Sequence, residues 1–95
     1  MKAVVVITEA EAMNAFERAF IVDGTRGFTI VPRVWGSGKT GLKTGTRVHP
    51  GGSSLLFSVV ADEDAAAAIE FVRRVRDESG SAVATKIFTI EVEES

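Results

Sequence analysis

WGSGKTGLKTGTRVHPGG, residues Trp35–Gly52, separates two strand-like segments of the chain and decides how its elements connect. Six of the nine glycines of the protein lie in this stretch, which predicts a long loop. Gly27–Trp35 before it and Ser54–Val60 after it are rich in β-branched and aromatic residues, as strands are. The loop is therefore predicted to be an overlong hairpin connection that divides the chain into two halves.

The first half contains a strand and a helix before the hairpin. Ala3–Ile7 is a continuous apolar run, typical of a strand at the centre of a sheet. Thr8 and Glu11 have the spacing of a capping box, which predicts that the helix starts at Thr8. Gly24 is expected to end this helix, because glycine accepts the left-handed conformation past a helix end. Pro32 cannot donate to a ladder, so the strand that holds it is predicted to lie at an edge or to carry a bulge.

The second half repeats the pattern, with a helix from Asp62 to Gly80 and a strand over Lys86–Val92. The element order is βαββαβ, and right-handed crossovers place both helices on one face of the sheet. We therefore predict an α+β, ferredoxin-like sandwich with a four-stranded antiparallel sheet in the order 4-1-3-2. At this length, residues 1–95 are expected to form a single domain. The residues predicted to face the sheet are Met13, Phe16 and Phe20 in the first helix and Ala65, Ala68, Ile69, Val72 and Val75 in the second.

Charge is divided unevenly along the chain. No Asp or Glu occurs from Gly24 to Ala61, a window with five basic side chains, whereas the other residues carry six bases against thirteen acids. Such a separation points to an anionic ligand or partner at the loop. The alternative is a solvated loop without a ligand.

Composition bears on several other classes of function. The chain has no cysteine, which excludes disulfides and thiolate metal sites. His49 is the only histidine, and no Ser-His-Asp grouping is recognisable, so neither a metal site nor catalysis is expected. Gly38-Lys39-Thr40 lacks the preceding glycine and the strand-to-helix context of a Walker A loop.

Two further features of the sequence bear on the cellular location of the protein. The apolar opening is too short for a signal peptide, and no apolar run approaches the length of a membrane span. We therefore expect a cytoplasmic protein that is not embedded in a membrane. The arginines near the end of the second helix complement the helix dipole, so no nucleic-acid partner is expected.

Four short motifs in register across the chain resemble the PII signal-transduction family: Gly27–Ile30 (GFTI), Val34–Lys39 (VWGSGK), Val59–Asp62 (VVAD) and Lys86–Phe88 (KIF). The resemblance implies a non-enzymatic regulator that forms a homotrimer. It also implies that ADP or ATP, or another small anionic effector, binds in clefts between neighbouring subunits. The protruding T-loop of the family, here about residues 36–52, would engage a target protein.

The resemblance also implies site residues by position. Gly27 and Thr29 would lie near the nucleotide base, and Lys86 would be the phosphate lysine that follows the B-loop. The glycine-rich start of the T-loop would supply the phosphate side, with Gly36, Ser37 and Gly38 as backbone contacts and Lys39 in place of the family arginine. The residues left for the partner on the outer loop are Lys43, Arg47 and His49.

Some positions depart from the family pattern. Val83-Ala84-Thr85 replaces the Gly-Asp-Gly of the B-loop, and Thr40 stands where the family has a glutamine. The chain has no tyrosine, so the family's T-loop uridylylation is impossible. These differences predict a divergent PII-like protein. The alternative is a trimeric divalent-metal-handling protein of the CutA type, which shares the fold but needs clustered metal ligands.

Overall fold

A computed structural model of the protein describes residues 1–34, 52–79 and 85–95. The four strands of these residues form one antiparallel sheet in the order β2-β3-β1-β4. This is the predicted 4-1-3-2 order read from the other edge, so the predicted fold is confirmed. The elements in chain order are β1 Lys2–Glu9, α1 Ala10–Asp23, β2 Thr29–Val34, β3 Ser53–Val60, a 3₁₀ turn Asp62–Asp64, α2 Ala65–Ser79 and β4 Lys86–Glu91.

The core lies between the sheet and the two helices. Val4 and Val6 of the central strand β1 are fully buried there, in the same cluster as Phe16 of α1 and Val72 of α2. Because side chains alternate along a strand, the intervening residues of β1 point to the opposite face of the sheet. We call that opposite side the open face, because both helices pack on the core side.

The helix faces follow the predicted stripes. Met13, Phe16 and Phe20 are the buried residues of α1, and their spacing of three and four places them on one side of the helix. In α2, Ala65, Ala68 and Val72 are buried, while Ile69 and Val75 pack against the cluster from its rim. Burying a large apolar side chain stabilises the fold by about 1.5–3 kcal/mol, so these stripes hold the helices to the sheet.

The start of α1 differs from the prediction. Thr8 does not cap the helix: it lies in β1 opposite Ser54, is 1% exposed, and shares a hydrogen bond of 2.7 Å with the hydroxyl of Thr85. The helix begins at Ala10, with Glu9 as an N-cap residue that makes no side-chain capping bond. Pairing with β3 continues through Glu9, and this ladder takes the place of the local capping box. The predicted end of α1 is confirmed, since Gly24 has a φ of 69° and its N–H donates to Phe20 O at 3.0 Å.

Strand β2 is both an edge strand and irregular. The pairing of β2 with β3 shifts register between Val31 and Val34, and Arg33 between them has a φ of 59°. Pro32 lies at this irregularity, where its missing N–H removes no bond from a continuous ladder. The prediction made from Pro32 is therefore confirmed.

Element ends in the second half move by a few residues. The acidic segment Asp62–Asp64 forms a 3₁₀ turn, so the α-helix begins at Ala65 and not at Asp62. Strand β4 ends at Glu91, one residue before the predicted Val92. The predicted helix end at Gly80 lies outside the described residues. Over the described part of the chain, none of the helices combines the length and the apolarity that a membrane crossing requires.

Candidate functional site

A hollow of about 260 Å³ lies where β2 begins beside β3. Thr29 stands directly opposite Phe57 in the ladder, and paired residues carry their side chains on the same face of a sheet. Phe57 alternates with the buried Leu56 and Ser58, so Phe57 and Thr29 belong to the open face. The lining consists of Gly27, Phe28, Thr29, Phe57 and Val59, which makes the hollow mainly apolar with one hydroxyl.

Hydrogen bonds hold the chain that leads into the hollow. The Ser58 hydroxyl donates to the Gly27 carbonyl at 2.6 Å, which ties the turn after α1 to β3. On the helix side, the Asp23 carboxylate accepts from the Thr25 N–H at 3.2 Å and from the Thr25 hydroxyl. It also accepts from the Arg26 guanidinium at 3.1 Å. These bonds, the Thr25 hydroxyl first, hold the pKa of Asp23 below its usual value.

Aromatic rings support the same turn from the core. The guanidinium carbon of Arg26 lies 5.1 Å from the centre of the Phe71 ring, within the range of a cation–π contact. The Phe71 ring meets Phe20 edge-on at 5.1 Å between centroids, and Phe20 meets Phe28 at 5.4 Å. Phe71 of α2 is thus linked through Phe20 to Phe28, which lies between Gly27 and Thr29.

Lys86 lies at the other edge of the sheet. It opens β4 and pairs with Ile7 of β1, which pairs in turn with Leu55 of β3. Leu55 is opposite Val31, so Lys86 lies on the open face at the level of Val31. Three strand spacings separate the two edges, about 14 Å at the usual distance between strands. Within one chain, the structure brings Gly27 and Thr29 together but does not bring Lys86 to them.

The other predicted site residues lie outside the described part of the chain. They are Gly36, Ser37, Gly38 and Lys39 of the predicted effector site and Lys43, Arg47 and His49 of the predicted partner-binding loop. Their assignments stay predictions.

Phe57 and Val59 line the hollow, and sequence reasoning did not assign them to a site. The sequence of β3 could have indicated their position, because the apolar residues Leu55, Phe57 and Val59 alternate with the buried residues of the strand. With both helices on one face, apolar residues at the alternate positions of a strand must belong to a surface that lacks a helix cover. That pattern identifies the face, whereas only the pairing with Thr29 identifies the hollow.

The open face carries a row of exposed apolar side chains. Val31, Val59, Phe88 and Ile90 are between 40% and 51% exposed. Phe88 pairs with Val5, and Val5 pairs with Phe57, which places all three on the same face. Large exposed apolar patches mark interaction sites more often than scattered residues do.

A larger groove of about 460 Å³ runs between α1 and α2, away from the hollow. Its lining includes the carboxylates of Glu11 and Glu78 with a single base, Arg18. An excess of carboxylates repels an anionic ligand, so the smaller hollow is the better candidate for an anionic effector. Across residues 1–34, 52–79 and 85–95, no group of three or more His, Cys, Asp or Glu side chains could hold a metal ion.

Comparison with protein-family models identifies one family, and a solved structure has the same fold. The family model described as "Nitrogen regulatory protein P-II" matches residues 1–95. Among solved structures, a PII-like signaling protein from Thermus thermophilus superimposes with a TM-score of 0.62 at 21% sequence identity. The match covers 96% of this chain and 84% of that chain. No curated protein matches the sequence significantly.

Proposed function

This chain belongs to the nitrogen regulatory protein P-II family, and from that premise we propose that it binds ADP, ATP or another small anionic effector between the subunits of a homotrimer. Members of the family are regulatory signalling proteins. In this proposal residues 1–95 act as one PII-like domain, and the T-loop, about residues 36–52, engages a target protein. The proposal includes a cytoplasmic location and a regulatory rather than catalytic role.

The position of Thr29 and Lys86 carries this proposal. Both lie on the open face, but at opposite edges of the sheet, with two strands between them. A neighbouring copy that contributes its β4 edge beside the hollow would bring the two residues together. In this proposal the predicted effector residues form one compact site between two subunits.

The open face supplies a reason for subunits to associate. Its exposed apolar side chains on β2, β3 and β4 lose contact with water when another sheet covers them. Homo-oligomers bury such faces against copies of themselves in closed symmetric arrangements. The apolar face therefore supports the trimer that the family resemblance implies.

The hollow suits the ring of a nucleotide better than its phosphates. Its lining offers Phe57, Val59 and the Thr29 hydroxyl, so a flat base would be held by apolar contact and one hydrogen bond. We propose that the phosphates extend toward Lys86 of the partner subunit and toward the glycine-rich stretch Gly36–Lys39. Glycine backbone amides approach an anion closely, and each lysine adds a positive charge.

The test is a calorimetric titration of the purified protein with ADP and ATP, accompanied by thermal melts. We expect binding, and a melting temperature that rises with ligand concentration because the ligand binds the folded state. Thr29→Val should weaken binding about two- to tenfold through the loss of one hydrogen bond. Thr89→Val removes a hydroxyl from β4 and should leave affinity unchanged, because Thr89 pairs with Val4 and faces away from the hollow.

The same titration addresses the alternatives. Divalent metals are tested alongside the nucleotides, and a response to a metal without any response to nucleotides would favour the metal-handling alternative. If Thr29→Val and Thr89→Val bind ADP and ATP with equal affinity, the hollow is not part of the binding site. Absence of binding by ADP, ATP and other small anions would refute the proposed function.

A further inference from the structure

Arg26 lies just before the hollow but is absent from its lining. Its guanidinium bonds the Asp23 carboxylate at 3.1 Å, and its carbon centre lies 5.1 Å from the centre of the Phe71 ring. The side chains of Arg26 and Asp23 are 21% and 24% exposed, so both are partly buried. A planar guanidinium can donate from its edge while its face covers a ring, which an ammonium group cannot do.

This contact lies at one end of the segment that forms the rim of the hollow. Arg26 is followed at once by Gly27, whose carbonyl accepts the Ser58 hydroxyl at 2.6 Å and thereby fixes the segment to the sheet. Gly27 has no side chain to pack, and a Cβ added there would meet no atom within 4 Å, so side-chain packing at this position does not hold the backbone. The backbone at Gly27 therefore depends on its neighbours for a defined position.

We propose that Arg26 is a positioning residue for the hollow. Held between Asp23 and Phe71, it keeps the backbone of residues 27–29 in place before a ligand arrives and connects this rim to α2. If the rim is already ordered, less of the binding free energy is lost to ordering it when the ligand binds. The inference rests on the proposed function for the identity of the ligand, whereas the ordering of the rim can be measured without one.

The first experiment is hydrogen–deuterium exchange of the free protein. Arg26→Ala and Phe71→Leu each remove one partner of the contact, and both should speed exchange at the amides of residues 27–30. Amides in the central strand β1 should keep their wild-type rates. Arg73→Ala is the matched control: it removes an exposed arginine of α2, whose distance to the Glu70 carboxylate is 3.9 Å, and should leave exchange at residues 27–30 unchanged.

The second experiment is calorimetric titration of the same variants with ADP. Loss of a partly shielded cation–π contact and its ion pair should weaken binding about fivefold in Arg26→Ala and in Phe71→Leu. Arg26→Lys keeps the charge but lacks the planar fork, so it should resemble Arg26→Ala. Phe71→Tyr keeps the ring face and should retain wild-type affinity, as should Arg73→Ala.

The two measurements separate the inference from the proposed function. If Arg26→Ala and Arg73→Ala exchange identically at residues 27–30, Arg26 does not position the rim and the inference is wrong, whatever the protein binds. Faster exchange with unchanged ADP affinity also overturns it, because the rim would then be irrelevant to the ligand. Faster exchange in a protein that binds no nucleotide would support the ordering of the rim while the proposed function fails.

Discussion

At the scale of single residues, Arg26 affects the interpretation of the uneven charge distribution along the chain. It is one of the five bases in the acid-free window from Gly24 to Ala61. The structure pairs it with Asp23, the residue immediately before that window, so its charge is neutralised within the fold. The bases of this window that remain for an anion are therefore concentrated further along the chain, toward the glycine-rich stretch.

Two lysines carry the prediction for the anionic part of the ligand. Lys39→Ala and Lys86→Ala should each weaken ADP or ATP binding about ten- to a hundredfold, because a charge-assisted hydrogen bond contributes about 1.5–3 kcal/mol. Lys43→Ala, further along the loop, should change nucleotide affinity little and should instead weaken binding to a target protein. Calorimetric titration of the three variants measures the contrast, and equal small losses in all three would indicate only a diffuse positive field.

Asp23 gives a prediction about pH. Its hydrogen bonds hold its pKa below the usual value in the folded protein. A carboxyl group with a lowered folded pKa contributes stability above its unfolded pKa of about 3.9, and this contribution is lost as pH falls through the folded pKa. Asp23→Asn should therefore lose stability less steeply than the wild-type protein as pH falls below about 5, measured by urea unfolding. Glu94→Gln, near the exposed chain end, is the control, and an identical pH dependence in both variants would contradict the role of Asp23.

At the scale of elements, the join between β1 and α1 shows which interaction prevails. A capping box at Thr8 would have ended the strand early, but the ladder with β3 continues to Glu9 and buries Thr8. The Thr8 hydroxyl finds a partner in Thr85, next to β4, in place of the helix backbone. Local capping contributes about 1 kcal/mol, whereas two more residues of paired strand bring several contacts at once.

Helix α1 gives a prediction about stability. Phe16 is fully buried in the cluster between helix and sheet, while Val22 on the same helix is 85% exposed. Phe16→Ala should lower the free energy of unfolding by about 3–5 kcal/mol through lost burial and the cavity that remains. Val22→Ala should change it by less than about 0.5 kcal/mol. Urea unfolding compares the two, and similar losses would contradict the assigned face of α1.

At the scale of the whole molecule, the sheet has two unlike faces. One face is covered by both helices, and the other exposes Val31, Val59, Phe88 and Ile90. A chain of this size has limited core of its own, so covering the second face would add appreciably to its stability. The predicted effector residues Thr29 and Lys86 lie at the two edges of that face. Association and effector binding are therefore expected to depend on each other.

This gives a prediction about assembly. Phe88→Glu should convert the proposed trimer to smaller species, because it places a charge in the apolar contact between open faces. Val22→Glu puts the same charge on the helix layer, at a more exposed position, and should leave the trimer intact. Light scattering after size-exclusion chromatography measures both variants. A wild-type protein that is monomeric at micromolar concentration would refute the trimer and the site between subunits together.

The sequence alone determined the features that depend on the chemistry of a short segment. The element order followed from apolar patterns, the end of α1 from Gly24, and the edge position of β2 from the missing N–H of Pro32. The assignment of Gly27 and Thr29 to a site came from the family resemblance, and the structure places them on the rim of one hollow.

The tertiary structure alone decided which distant residues meet. Phe57 enters the hollow because strand register sets it opposite Thr29, and Thr8 is buried because β1 pairs with β3 beyond the predicted strand end. Arg26 and Phe71 are far apart in the chain, and no local pattern predicts their contact. A one-residue change of register would turn every side chain of a strand to the other face. Such contacts therefore depend on how the whole sheet pairs, whereas a helix end or an edge proline depends on its own backbone.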